Sequence, residues 1–285
     1  MKNAQIEINA ASIKDFILAE GIDLVGIADA KNLLLASPPR PATAIMPSAK
    51  SVIVMAVVHS LGAVYAPDIM VWTRNKMQSS RLLDQVAERV GRLLEREGFL
   101  STPISADKPV TIFKAGFEYK GKKLPHTRFL GHLSLKHTAV SAGLGEIGRN
   151  NLLITPQFGP HQRLGAIITE APLESDQPLN GKLCTDCKQC EKACPVEALK
   201  DGRYNVDRCY SYWSKGFKQV YPERLRDWTS YLRMLMQFNK TRDVFIEMSQ
   251  NYITDVDYCI ECMKACHVGT QWEKIRSNLL KKEKS

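Results

Sequence analysis

The run Cys184, Cys187, Cys190 and Cys194, closed by Pro195, constrains this chain more than any other feature. A CxxCxxC triplet places three thiolates within seven residues, a spacing that wraps one face of a cubane iron–sulfur cluster. In the bacterial two-cluster pattern the fourth cysteine turns away to ligate the other cluster, and proline breaks the backbone after it. That pattern calls for a reciprocal set. Cys259, Cys262 and Cys266 repeat the CxxC and CxxxC spacings, and Cys209, fifty residues upstream of Cys259, is the one cysteine left for the remaining place. The reading therefore assigns Cys184, Cys187, Cys190 and Cys266 to one [4Fe-4S] cluster and Cys194, Cys209, Cys259 and Cys262 to the other, which uses all eight cysteines.

Two other uses of eight cysteines stand beside this one. Four disulfides would suit a secreted chain, but the opening MKNAQIEINAASIKDF has no apolar signal region and no run is long enough to span a bilayer. The expectation is a cytoplasmic protein with no membrane contact. Zinc ribbons use separated CxxC pairs, which a triplet crowds more tightly than a tetrahedral site needs. The formal charge of +9 suits docking of an acidic low-potential electron donor such as a ferredoxin or flavodoxin, or a polyanion such as RNA, and equally suits a solvated basic surface.

With 285 residues and 44% hydrophobic content, the chain can bury a sizeable core in one or two domains. Ser12 to Glu20 reads as a helix capped by Ser12, with Asp15 at the capping-box position and Gly21 as terminator. Asp23 to Ala28 reads as a short buried strand, and the apolar run Ser51 to Val58 as a central one. Ser79 or Ser80 is the expected cap of an amphipathic helix to Glu97, its stripe built from Leu82, Leu83, Val86, Val90, Leu93 and Leu94. Leu164 to Thr169 is a further strand, and Ala171 to Gly181, with Pro172, Pro178 and Asn180, is the best boundary. The fold class is thus α/β (α+β), an α/β domain over residues 1–175 followed by a cysteine-rich domain over 176–285. Between Cys209 and Cys259, residues 210–258 form an insertion rich in aromatics and methionine, read as one or two helices that cover clusters and fill core.

Ala142 to Asn150 reads AGLGEIGRN, so Gly143, Gly145 and Gly148 match the GxGxxG dinucleotide fingerprint. The context argues against a nucleotide, because such a loop follows a buried strand, whereas Leu133 to Val140 (LSLKHTAV) is short and polar at several positions. Clustered glycines permit close approach of backbone to a large flat or anionic ligand, or simply a tight turn.

The block AVSAGLGEIGRNNLLITPQFGPHQRLGAIITEAPLE, followed by the CxxCxxCxxxCP run and by Cys209 within DRCYSYW, resembles the corrinoid-dependent epoxyqueuosine reductases and the reductive dehalogenases. The resemblance covers most of the chain and is strongest from about Ala139 onward. It implies a nitroreductase-like domain that holds base-off cobalamin, followed by a ferredoxin-like domain with two [4Fe-4S] clusters. It also implies that Gly143, Leu144, Gly145, Gly148, Arg149 and Asn150, with Thr155, Pro156 and Gly159, line the corrinoid largely through backbone. One cluster would then reduce cobalt and the other receive electrons from outside. FMN in place of the corrinoid is a further reading of a nitroreductase-like domain.

The departures narrow the substrate. Where epoxyqueuosine reductases carry a catalytic Asp, thirteen residues before AGLG, this chain has Phe129. It stops nineteen residues after Cys266, where those enzymes extend into a tRNA-binding domain, so tRNA is not the expected substrate. The twin-arginine signal of respiratory dehalogenases is absent, and His267 stands where a proline follows the last cysteine. A dehalogenase-like site uses a tyrosine as proton donor beside a basic residue, which makes Tyr119, Lys114 and Arg149 the catalytic candidates, acting on a small organic molecule such as an organohalide or epoxide. His126, His132 and His137 precede the glycine loop, and spacing alone does not make them ligands. The sequence is equally compatible with a homodimer, and with an electron-transfer protein that serves the corrinoid of a partner.

Overall fold

The computed structural model describes residues 7–33, 41–106, 111–113, 118–119, 122–123, 128–212, 259–272 and 275. The first helix, α1, runs Ala10–Ala19, with Ile13 and Ile17 one turn apart and fully buried. Its cap is Asn9, whose side chain accepts the Ser12 N–H at 2.9 Å, so Ser12 sits inside the helix and not at its start. Asn and Ser cap about equally well, and the sequence placed the boundary one turn late. The strand pair β1 (Leu24–Asp29) and β2 (Ser51–Val58) follows.

A short helix α2 (Leu61–Val64) leads into α3, which spans Ile69–Arg96. Asp68 caps α3 by accepting the Met70 N–H at 2.8 Å, eleven or twelve residues before the expected cap at Ser79 or Ser80. Ser79 and Ser80 are buried in mid-helix, where their polarity had masked the stripe that continues upstream through Lys76 to Trp72. The added turns have their own purpose: Trp72 packs with Leu61, Val64 and Ile260, with Ile69, Met263 and Trp272 alongside. They reach the second cysteine segment.

The remaining strands are β3 (Ser101–Ile104), the short β4 (Thr111–Phe113), β5 (Glu118–Tyr119), β6 (Lys122–Lys123) and β7 (Arg128–Leu130), the hairpin β8 (Glu146–Ile147) and β9 (Leu153–Ile154), then β10 (Gln162–Thr169) and the pair β11 (Leu199–Lys200) and β12 (Arg203–Tyr204). The main sheet has the order β1-β2-β10-β3, and every pairing in it is antiparallel. Its central strand β2 is apolar on both faces because both faces are covered. Ile53, Met55 and Val57 meet α1 and α3, while Val52 and Val54 meet a second layer that includes α4 (Leu135–Ser141) and residues 42–49. The segment after β10 stays on this unit: Leu173 joins the first core, and Asp176 accepts the Ile27 N–H at 2.7 Å.

His59 closes β2 at the end of the sheet nearest the start of α3. Its N–H donates to the His161 carbonyl at 2.8 Å, and its ring meets Trp72 edge-on at 4.6 Å between centroids. Burial, reinforced by Arg163, His161 and Lys76, lowers its pKa from 6.5 to about 3. The folded state therefore binds fewer protons than the unfolded state between those values, and stability falls as pH drops from about 6.5 toward 3. The contribution is on the order of 4 kcal/mol across that window. Denaturant titrations from pH 7 to 4 are expected to show a shallower pH slope for His59→Gln than for the wild type, and parallel slopes would show that His59 is not a buried neutral group.

Candidate functional site

Two short helices carry the cysteines that the sequence paired. α5 (Gln189–Lys192) and α6 (Glu261–Lys264) pack together and repeat one another bond for bond. Ala193 N–H donates to Gln189 O at 2.9 Å as Ala265 N–H does to Glu261 O at 2.9 Å, and Cys194 to Glu191 O at 3.2 Å as Cys266 to Met263 O at 3.2 Å. Each helix thus presents one cysteine inside its turn, Cys190 or Cys262, and throws the next, Cys194 or Cys266, beyond it.

Cys266 joins Cys184, Cys187 and Cys190 around one space, partly open to solvent, which is also lined by Asn150, Ile154 and His267. The second group forms around Cys262: burial, and after it the neighbouring Cys259, Cys209, Cys190 and Cys194, together raise its thiol pKa to about 12. Burial likewise raises Cys259, with Cys209 and Cys194 adding to the shift. The Tyr204 side chain hydrogen-bonds to Cys209. None of the eight cysteines is in a disulfide. Among the described residues no three Cys, His, Asp or Glu side chains converge closely enough for a single metal ion. Four thiols spread around a shared space fit a polynuclear cluster better than one tetrahedral zinc.

The first cysteine loop is held in an unfavourable backbone. Asp186 and Lys188, flanking Cys187, have φ of 58° and 60°, the left-handed region that costs a non-glycine residue of order 1 kcal/mol. What holds them is the turn of the β8–β9 hairpin. Arg149 Nε donates to the Asp186 carboxylate and its Nη1 to Glu191 Oε1 at 2.6 Å, while Glu191 Oε1 also accepts the Gly202 N–H at 3.0 Å. The two carboxylates hold the Arg149 guanidinium pKa above its ordinary value, and Arg149 in turn lowers that of Asp186. Glu146 Oε1 accepts the N–H groups of Leu183 at 2.9 Å and Cys184 at 2.5 Å. Asn150 Nδ2 reaches the Cys262 carbonyl at 3.5 Å.

The nine residues expected to line a corrinoid lie on this seam. Five of them, Gly145, Gly148, Asn150, Thr155 and Gly159, are buried, whereas Gly143, Leu144, Arg149 and Pro156 keep some surface. The glycines are required by the chain itself: a Cβ at Gly143 would stand 2.4 Å from Gln177 O, at Gly145 2.0 Å from Ile154 O, and at Gly159 2.1 Å from Val268 O. The Thr155 hydroxyl accepts the Phe158 N–H and lies within hydrogen-bond reach of Gly159 O and Gln162 Oε1. Arg149 Nε and Nη1, Asn150 Nδ2 and the Thr155 hydroxyl all have partners within the chain. The helix α4, not a strand, precedes the GxGxxG, in accord with rejecting a dinucleotide site.

Of the catalytic candidates, Tyr119 lies on β5 with its side chain outside the described residues, and Lys114 and His126 lie outside them too. So do residues 213–258, most of the expected helical insertion. Phe129 pairs with Ile112 across β4 and β7. His137 Nδ1 lies 2.6 Å from Ser134 Oγ, and His267 Nδ1 lies 3.7 Å from Cys187 Sγ. Sequence reasoning missed Glu146, Asp186 and Glu191. The signal was present, since each acid falls inside a motif that had been read only for its glycines or cysteines.

Residues 179–200 match the 4Fe-4S binding domain family. Over 112 residues, 37% of this chain and 29% of the relative, the sequence is 39% identical to the epoxyqueuosine reductase of Listeria monocytogenes. Over 153 residues, 53% of this chain and 23% of the relative, it is 28% identical to the tetrachloroethene reductive dehalogenase of Desulfitobacterium hafniense. The structure of epoxyqueuosine reductase from Streptococcus thermophilus superposes with a TM-score of 0.56 at 20% identity, covering 90% of this chain and 65% of that one. The chain has the fold of the epoxyqueuosine reductases and reductive dehalogenases. It spans less than a third of the length of the curated relatives it matches. Among the described residues, no helix is long and apolar enough to cross a membrane.

The loop Thr155–Gly159 grips the chain beyond Cys266: Thr270 N–H donates to Pro156 O at 3.2 Å and Gln271 N–H to Gln157 O at 3.1 Å. Gly159, at φ 58°, has no room for a methyl group. Gly159→Ala is expected to cost about 1–3 kcal/mol in chemical denaturation and to weaken retention of iron by the set containing Cys266. Gly62→Ala, whose Cβ would meet nothing closer than 3.6 Å, is the control. Equal behaviour of the two variants would remove this loop from the site.

Proposed function

We propose that the chain is an oxidoreductase in which two [4Fe-4S] clusters relay single electrons to a corrinoid on the sheet unit. Cys184, Cys187, Cys190 and Cys266 would hold the cluster nearer that unit, and Cys194, Cys209, Cys259 and Cys262 the outer one. The observation that carries the proposal is the convergence of Cys266 on a space formed by a triplet some eighty residues earlier in the chain. In this reading residues 1–175 form the corrinoid-binding domain and 176–285 the ferredoxin-like domain. The eight free thiols favour a reducing compartment such as the cytoplasm.

The corrinoid reading is supported by the likeness to a solved reductive dehalogenase whose structure is described as suggesting a mechanism for B12-dependent dehalogenation, with a TM-score of 0.54 at 19% identity. When bound, such a group supplies a cobalt centre that takes electrons singly and delivers them to an organic substrate. Gly143, Leu144 and Pro156, which keep some surface, would touch it through backbone and apolar contact. The buried members of the set would support that wall from behind. The substrate class is a small organohalide or epoxide, with a ferredoxin or flavodoxin as donor. Tyr119 remains the proposed proton donor and Lys114 its proposed basic partner.

Protein purified without oxygen is expected to carry about eight iron per chain and, once supplied with cobalamin, one cobalt with a base-off absorbance spectrum. Eight iron with a flavin spectrum would replace the corrinoid by FMN. Zinc in place of iron would end the proposal.

A further inference from the structure

The turn that follows Gly145 touches the first cysteine loop at three points, and those points bracket its three ligands. Glu146 takes the N–H groups of Leu183 and Cys184, and Arg149 takes Asp186, between Cys184 and Cys187, and Glu191, beside Cys190. The roles of the two residues differ. Arg149 is a spacer whose charge is met on both sides by carboxylates. Among the described residues Glu146 is met by backbone N–H groups and by no bonded cation, so its carboxylate sits on the N–H of a ligand, Cys184, and of its neighbour Leu183. Lys182 and Lys188 are the nearby cations acting on Asp186, and Lys188 acts on Glu191 too.

A cluster's potential follows its net charge, the hydrogen bonds to its sulfurs and its exposure to solvent. Backbone N–H groups around a cysteine loop are the usual donors to those sulfurs. Glu146 claims two of them, including the N–H of Cys184 itself, and replaces positive dipoles by a carboxylate. Both effects act in one direction: they disfavour the added electron. The same contacts preorganise the loop, since a carboxylate accepting paired N–H groups fixes where Cys184 begins.

We propose that Glu146 is a positioning residue that keeps the cluster on Cys184, Cys187, Cys190 and Cys266 at low potential, as the electron source nearer the sheet unit must be. This rests on the cluster assignment made above. The fit of the hairpin turn to the cysteine loop also accounts for the spelling GEIGRN, which a corrinoid wall made of glycines leaves unexplained.

The test is an EPR-monitored redox titration of the full chain, reconstituted without oxygen, as wild type, Glu146→Gln, Glu146→Asp and Arg149→Lys. Glu146→Gln keeps an acceptor oxygen and loses the charge. It is expected to hold full iron while its reduced-to-oxidised ratio at a fixed potential rises about tenfold, roughly 59 mV for one electron. Glu146→Asp is expected to return most of that shift. Arg149→Lys loosens the loop while leaving the Glu146 carboxylate, so it should lose iron faster to a chelator with the midpoint of the intact clusters unmoved. A Glu146→Gln titration that overlays the wild type overturns the proposal, as does an equal shift in Arg149→Lys or failure of Glu146→Gln to assemble the cluster. Absence of any [4Fe-4S] signal in the wild type is a different result, and it contradicts the cluster assignment itself.

Discussion

The Arg149 guanidinium, held between Asp186 and Glu191, is the contact on which the arrangement of this protein turns. It joins a hairpin of the sheet unit to a loop whose backbone would not choose its own shape, since Asp186 and Lys188 both adopt the left-handed conformation. A salt bridge at a surface contributes little to stability. Here the contribution is geometric: a planar fork fixes two carboxylates at once, and between them sits Cys187. Around this seam the other contacts follow, with Glu146 on the backbone of Leu183 and Cys184, Asn150 on Cys262, and Gly159 against Val268. Both cysteine segments are therefore shaped by the sheet unit, the first by the β8–β9 hairpin and the second by its turn and by the Thr155–Gly159 loop.

Much of the fold was legible because its elements obey simple rules. Ser51 to Val58 is apolar throughout, so it had to be covered on two faces, and it is the inner strand of an antiparallel sheet. The start of α3 was not legible. Its first turns alternate Trp72 and Thr73 with Lys76, Ser79 and Ser80, all buried, and polar residues in a buried stripe erase the periodicity that marks a helix. Two of the partners of Trp72, Ile260 and Trp272, lie nearly two hundred residues away, and local sequence carries no record of them.

The site divides in the same manner. The two-cluster spacing predicts that Cys266 joins the first triplet, and in the structure Cys266 lines the same space as Cys184, Cys187 and Cys190 while α5 and α6 repeat one another's hydrogen bonds. The glycines were harder. A GxGxxG says that something must come close, and says nothing of what. In this fold the close neighbours of its three glycines include Gln177 and Ile154 of the chain itself. The two phrases that carry the family resemblance, GLGEIGRN and TPQFGP, thus work as a mould for cysteine segments before they serve any organic cofactor.

The proposed clusters rest on the crossing of the two cysteine sets, the first triplet completed by Cys266 and the pair Cys259 and Cys262 by Cys194 and Cys209. It is tested most directly by removing one crossed cysteine at a time and identifying, by Mössbauer and EPR spectra of the reconstituted protein, which cluster is lost. Cys266→Ser should lose the cluster that Cys187→Ser loses, and Cys194→Ser the one that Cys259→Ser loses. If Cys266→Ser and Cys259→Ser abolish the same cluster, the sets are not crossed and the account fails.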